Sequence, residues 1–268
     1  MDRRDVYMDQ PCEISLETMA ICNAACTFCP YEEIERKGEK MPDELIDKLI
    51  DQMAEFDKPF NFSPFKVSDP LLDNRLIDIL QKVEARTLAN IRVFTNGQAL
   101  TFKKAEQLHN IDKMELWISF NEHRETEYKN LMNLDYQRTI KNIDMLHASD
   151  FAHPVILTRV GKDPDFVDFC NNRWPDYRAL IIKRDGWLGF TEHEREEVPD
   201  RRCDRWFELS IMANGIVSLC CMDGKGEYPI GDINTQTLKE VYNSPLWRER
   251  RELNQSRLDI NPCSTCTY

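Results

Sequence analysis

Three cysteines sit close together early in the chain, in the run Cys22-Asn-Ala-Ala-Cys26-Thr-Phe-Cys29, a C-x3-C-x2-C spacing. An aromatic residue, Phe28, stands immediately before the last of them. Three thiolates this close can cap three irons of a cubane iron–sulfur cluster and leave the fourth iron open to a small-molecule ligand. A structural zinc site wants four ligands, so a zinc reading needs a fourth residue from elsewhere. A second group follows late in the chain: Cys203, Cys220, Cys221, Cys263 and Cys266. Four of these can ligate a complete cubane, and zinc competes for any such four-cysteine set. Cys12 and Cys170 stand apart.

The rest of the composition narrows the setting. The 268 residues are 41% hydrophobic and 31% charged, the balance of an ordinary globular protein. A formal net charge of −12 argues against nucleic acid or an anionic membrane as partner. No apolar run approaches the roughly 20 residues of a membrane span. The N-terminal MDRRDVYMDQ has no apolar core behind its charges, so it does not read as a secretory leader. A cytoplasmic location is expected, and in a reducing compartment clustered cysteines serve as ligands more often than as disulfides.

Stepping outward from the cysteines, the chain alternates strand and helix patterns. Strands are expected over Glu13–Met19, Pro59–Phe65, Ala89–Phe94, Lys113–Phe120, Pro154–Val160 and Arg178–Lys183. Helical spacing of apolar residues recurs over Pro42–Phe56, Asn74–Arg86, Tyr136–His147 and, more briefly, Phe166–Asn172. Such a series predicts an α/β fold with a parallel sheet and right-handed crossovers. The chain is short for eight units plus an appendage, so the expected form is a partial (β/α)6 TIM-like barrel over 1–184. In parallel α/β folds the functional loops lie at the C-terminal ends of strands. The first cysteine loop falls there, directly after Glu13–Met19.

A polar connection is expected from 185 to 202, opening a second unit that runs to 268. Phe207–Met212 and Ile216–Leu219 flank Ala213-Asn214-Gly215, a hairpin turn signal. Two helical stretches, Thr235–Tyr242 and Pro245–Leu253, precede the terminal cysteines.

The first motif resembles the signature of the radical S-adenosylmethionine (SAM) superfamily, C-x3-C-x-(aromatic)-C after the first strand. The resemblance implies a 4Fe–4S cluster on Cys22, Cys26 and Cys29 whose open iron binds SAM. It implies reductive cleavage of SAM to a 5′-deoxyadenosyl radical that takes a hydrogen atom from substrate, with an external low-potential electron donor. SAM contacts carried over by position are Phe28, Ser68, Asp69, Asn96, Ser119 and Arg159. Val67-Ser68-Asp69-Pro70 departs from the family's Gly-Gly-Glu-Pro, and the bare alternative for Asp69 is a turn residue before Pro70.

The second group resembles the SPASM or twitch auxiliary domain, in which C-x9–15-G-x4-C spans a hairpin. On that resemblance Cys203, Cys220, Cys263 and Cys266 hold one auxiliary 4Fe–4S cluster. Cys221 is the alternative to Cys220, because successive strand residues face opposite ways. By length and cysteine count the chain resembles the twitch-domain dehydrogenases that oxidise an aminocyclitol (2-deoxy-scyllo-inosamine). The implied reaction oxidises a small molecule such as a sugar or cyclitol, the auxiliary cluster accepting an electron. A peptide-modifying activity is disfavoured because the first strand begins about a dozen residues in, leaving no room before it for a peptide-recognition domain. Epimerisation is the rival and needs a hydrogen-atom donor such as Cys170, Cys221 or Cys12, each of which has buried core thiol as its plain reading. A non-enzymatic iron–sulfur or zinc protein is the alternative of another class.

Overall fold

The structure, a computed structural model, describes residues 2–184, 186–191 and 197–268. A short helix α1 (Arg3–Val6) leads into six parallel strands: β1 (Glu13–Leu16), β2 (Phe60–Ser63), β3 (Ala89–Thr95), β4 (Met114–Ile118), β5 (Val155–Val160) and β6 (Arg178–Ile182). They pair in sequence order, as the alternating pattern predicts for a partial barrel. Between them lie α2 (Asp43–Met53), α3 (Leu76–Arg86), α4 (Phe102–His109), α5 (Glu125–Met132), α6 (Tyr136–His147) and α7 (Pro164–Arg173). Each helix turns an apolar stripe to the sheet. In α2 the buried residues are Ile46, Leu49, Ile50 and Met53, spaced by three and four. Caps fix the starts: Thr101 accepts from the Lys104 N–H, and Asp135 from the Arg138 N–H.

Some boundaries differ from those expected, for local reasons. β2 stops at Ser63 because Pro64 brings no N–H to the ladder. β1 stops at Leu16, and Met19 keeps only an isolated bridge to Lys40. Helices α4 and α5 go beyond the sequence reading; both are eight residues long and expose polar faces that mask their period.

The C-terminal region is joined to the barrel sheet. β7 (Glu208–Ile211) runs parallel to β1 and pairs with it, then turns back as β8 (Ile216–Ser218). Gly215 makes that turn at φ 86°, where a Cβ would come within 2.4 Å of Asn234. A further strand, β9 (Pro229–Asp232), pairs antiparallel with β8 and completes a nine-stranded order β6-β5-β4-β3-β2-β1-β7-β8-β9. The sequence hides β9 because Pro229 and Gly231 read as turn residues. Helices α8 (Leu238–Tyr242) and α9 (Pro245–Glu252) follow. The connection expected over 185–202 falls partly on residue 185 and on 192–196, which lie outside the described residues. Among the described residues no helix is long and apolar enough to cross a membrane.

Candidate iron–sulfur sites

Cys22, Cys26 and Cys29 lie on the loop leaving β1, at the C-terminal end of the parallel strands. The loop is held by α5. The Ala25 N–H donates to the Met132 carbonyl at 3.2 Å, and the Thr27 N–H to the Leu131 carbonyl at 3.0 Å. Thus the last turn of α5 gives its unpaired carbonyls to the cysteine loop. Cys26 Sγ rests 3.5 Å from Met132 Sδ. Burial pushes the Cys22 thiol up to about 12 and the Cys29 thiol up to about 11, and it raises Cys26 as well. Three neutral thiols are stable in the free chain, and a metal centre would displace their protons.

The ends of β2 and β3 are tied to the same loop. The Asp69 N–H donates to the Ile21 carbonyl at 2.9 Å, one residue before the first cysteine. The Asp69 carboxylate is buried and accepts from Thr95 Oγ1 (2.9 and 3.0 Å), the Asn96 N–H (2.8 Å) and the Leu71 N–H (3.0 Å). Asn96 then reaches back with Nδ2 to Asn23 Oδ1 at 2.7 Å, with Cys22 Sγ 3.9 Å away. Asp69 is therefore a brace between two strand ends, saturated by the protein itself.

The remaining sequence-derived SAM residues fall in different surroundings. Phe28 is half-buried, and its carbonyl accepts from the Trp187 indole at 2.8 Å. Ser68 and Ser119 are half-buried, and the Ser119 N–H is bonded to the Thr95 carbonyl at 2.8 Å. Arg159 already has carboxylate partners of its own, Glu122 at 2.8 Å and Asp163 at 3.2 Å. As a counter-charge for a free ligand carboxylate it is thus already engaged.

In the second group the structure gathers Cys203, Cys220, Cys263 and Cys266 around one small cavity. They come from the segment before β7, the bend that follows β8 and the C-terminal turn. Cys221 is not among the lining residues, and Leu188, Trp206, Leu219 and Met222 close much of the wall. The cysteines are unpaired, and burial raises the Cys203, Cys220 and Cys263 thiols. Arg205 Nε, on a cavity-lining residue, is a buried donor without a partner, and the Trp206 indole N–H is turned to the Cys263 thiol. Four thiols with N–H donors beside them fit a cubane, whose sulfurs accept hydrogen bonds. Of the other cysteines, Cys170 lies in the apolar core on α7, and Cys12 accepts from Arg3 at 3.2 Å. Neither is brought to either cysteine group.

Two buried residues escaped the sequence reading. Glu17 joins Arg36 with the Val67 and Ala213 N–H groups, and Lys66 lies between the β2 loop and the auxiliary hairpin. The one signal for Lys66 is a lone cation in the run Phe62–Val67, otherwise without charge.

Residues 16–164, more than half of the 268, match the model of the radical SAM superfamily. The chain belongs to that superfamily. Residues 203–267 of this radical SAM enzyme match SPASM, an iron–sulfur cluster-binding domain. Among curated proteins it is similar to a probable GTP 3′,8-cyclase of Methanothermobacter marburgensis, at 22% identity over 90% of this chain and 78% of that protein. A probable GTP 3′,8-cyclase of Thermoplasma volcanium is 26% identical over 71% of this chain, which spans only 56% of that relative. Among solved structures, BtrN in complex with AdoMet and 2-DOIA superposes with TM-score 0.66 at 15% identity, covering 96% of this chain and 93% of BtrN. Streptococcus suis SuiB bound to the precursor peptide SuiA gives TM-score 0.72 at 15% identity, over 97% of this chain and 70% of SuiB. These structural likenesses establish a shared fold.

Proposed function

We propose that this radical SAM enzyme oxidises a small molecule, such as a sugar or cyclitol, by hydrogen-atom abstraction, with one auxiliary 4Fe–4S cluster as electron acceptor. The observation that carries the reading is the convergence of Cys203, Cys220, Cys263 and Cys266 on one cavity, in a region whose strand β7 pairs with β1, the strand that leads into Cys22, Cys26 and Cys29. When bound, the first cluster and SAM supply the radical, and the auxiliary cluster supplies an electron sink.

The chain's own residues do the positioning. In this reading residues 1–184 generate the radical and 185–268 hold the sink. Cys22, Cys26 and Cys29 cap three irons, and Phe28 shields them. Asp69 fixes the β2 and β3 ends, so that Ser68, Asn96 and Ser119 border the SAM position. The likeness to BtrN, whose structure holds AdoMet and 2-DOIA, is what supports a non-peptide substrate in this reading. Unpaired cysteines support a reducing, cytoplasmic setting, and reductive cleavage of SAM calls for an external low-potential donor.

The test incubates the anaerobically reconstituted, reduced enzyme with SAM and a panel of sugars and cyclitols. Substrate-dependent 5′-deoxyadenosine with a product two hydrogens lighter is expected. A product of unchanged mass in H2O that becomes one deuterium heavier in D2O would replace oxidation by epimerisation.

A further inference from the structure

Lys66 is 5% exposed, on the loop between β2 and Asp69. Its Nζ donates to Ser210 Oγ at 2.8 Å, to Ser218 Oγ at 2.6 Å and to the Cys220 carbonyl at 3.0 Å. Three oxygen acceptors suit the three donors of an ammonium. Ser210 lies on β7 and Ser218 on β8, so this single side chain pins both hairpin strands and a proposed cluster ligand.

No ion pair joins Lys66 to a carboxylate among the described residues. The two nearby acids are engaged elsewhere. Asp223 accepts from the N–H groups of Gly226, Glu227 and Tyr228, and Glu17 is closed on Arg36. A buried ammonium without a counter-charge is costly, and neighbouring hydroxyls offset only part of that cost. The group next to it that would carry negative charge is the set of four thiolates around Cys220, which bear a net negative charge even with a cubane in place.

We propose that Lys66 is a positioning residue for the auxiliary cluster: it fixes the Cys220 backbone and sets a positive charge there that raises the cluster's reduction potential. The inference rests on the proposed electron-acceptor role. In that role the substrate loses one hydrogen atom to the radical, one proton to solvent and one electron to the cluster. That electron adds a negative charge, which a nearby cation stabilises in a medium of low dielectric. Lys66 therefore favours the accepting direction.

The test is an EPR-monitored redox titration of the reconstituted full chain and of two variants that remove the net charge differently. Lys66→Met deletes the ammonium, and Ser210→Asp neutralises it with the lysine left in place. Each is expected to shift the auxiliary couple's equilibrium at least tenfold toward the oxidised state, about 59 mV for a one-electron couple. The first cluster's potential stays where it was. Ser218→Ala removes the acceptor for Lys66 and the hydroxyl's own contacts to the Ser210 and Cys220 carbonyls but keeps the charge, so it is expected to move the couple by less than that. An equal shift in Ser218→Ala would reduce Lys66 to a packing role and overturn the proposal. If Lys66→Met does not assemble, Ser210→Asp decides alone. Wild-type chain holding about four irons in place of about eight would sink the electron-acceptor reading, and this inference with it. About eight irons with unshifted variants would overturn the inference alone.

Discussion

Arg36 closes on Glu17 in a bidentate pair, Nε to Oε2 at 2.6 Å and Nη2 to Oε1 at 3.1 Å, with side chains only 4% and 0% exposed. The pair joins three parts of the chain. Glu17 leaves β1 toward the cysteine loop, its carboxylate also accepts the Val67 and Ala213 N–H groups, and Arg36 donates to the Gly224 carbonyl at 2.9 Å. Removing one member strands a buried charge, which costs about 3–5 kcal/mol, whereas removing both costs less. Arg36→Met is therefore expected to lower the unfolding midpoint sharply, and Glu17→Gln combined with Arg36→Met to recover part of the loss. Denaturant titration of Arg36→Met, of Glu17→Gln and of the double variant is the check. Strictly additive losses would mean that the two residues act independently.

Asp69 carries a second prediction. Its carboxylate receives hydrogen bonds from Thr95, Asn96 and Leu71, so Asp69→Ala leaves buried donors unsatisfied at about 1–3 kcal/mol each. Through Asn96 the loosening reaches Asn23 in the cysteine loop. The variant is expected to keep its full iron content and to bind SAM several-fold more weakly. SAM affinity from the EPR change of the reduced first cluster reads this directly. Unaltered affinity would confine Asp69 to holding the turn.

These two residues also mark where sequence reasoning reached and where it stopped. The β/α alternation and the cysteine spacings are local patterns, so six parallel strands and two cysteine groups could be read directly. Asp69 was legible as a chemically important position, but its saturation by Thr95 and Asn96 depends on the register of β2 beside β3. Glu17, Arg36 and Lys66 were illegible because their partners lie far along the chain: 188 positions separate Arg36 from Gly224, and 154 separate Lys66 from Cys220. The pairing of β7 with β1 is equally non-local, and it makes the auxiliary hairpin an extension of the barrel sheet.

Arg159 yields a prediction with a pH signature. Burial pushes the Glu122 carboxyl up, but hydrogen bonds from Arg124 and Arg159 outweigh it and hold the pKa at about 2. A carboxyl depressed below its unfolded value near 4.3 contributes stability above that value, and loses it as pH falls toward the folded one. Glu122, held at about 2, is ionised near neutral pH, where its contribution is fully present. Arg159→Gln is expected to lower stability near neutral pH, by an amount that shrinks as pH falls toward the folded pKa of Glu122, and to change SAM affinity less than Asp69→Ala does. A large loss of SAM affinity at unchanged stability would return Arg159 to the SAM site.

The neighbouring pair Cys220 and Cys221 gives the most direct test of the second site. Cys220 lines the cavity shared with Cys203, Cys263 and Cys266, and its carbonyl is held by Lys66. Cys221 follows in the turn after β8 and is absent from the lining of that cavity; Arg205 and Glu208 act on its thiol, which burial pushes up to about 12. A ligand is needed for a complete cubane, so Cys220→Ala is expected to lose the second cluster, taking iron from about eight to about four per chain. Cys221→Ala is expected to keep all of it and to retain the auxiliary EPR signal. Iron and sulfide analysis of the two variants, reconstituted side by side, reads the difference. The reverse pattern would assign the fourth ligand to Cys221 and require the turn after β8 to rearrange when the cluster binds.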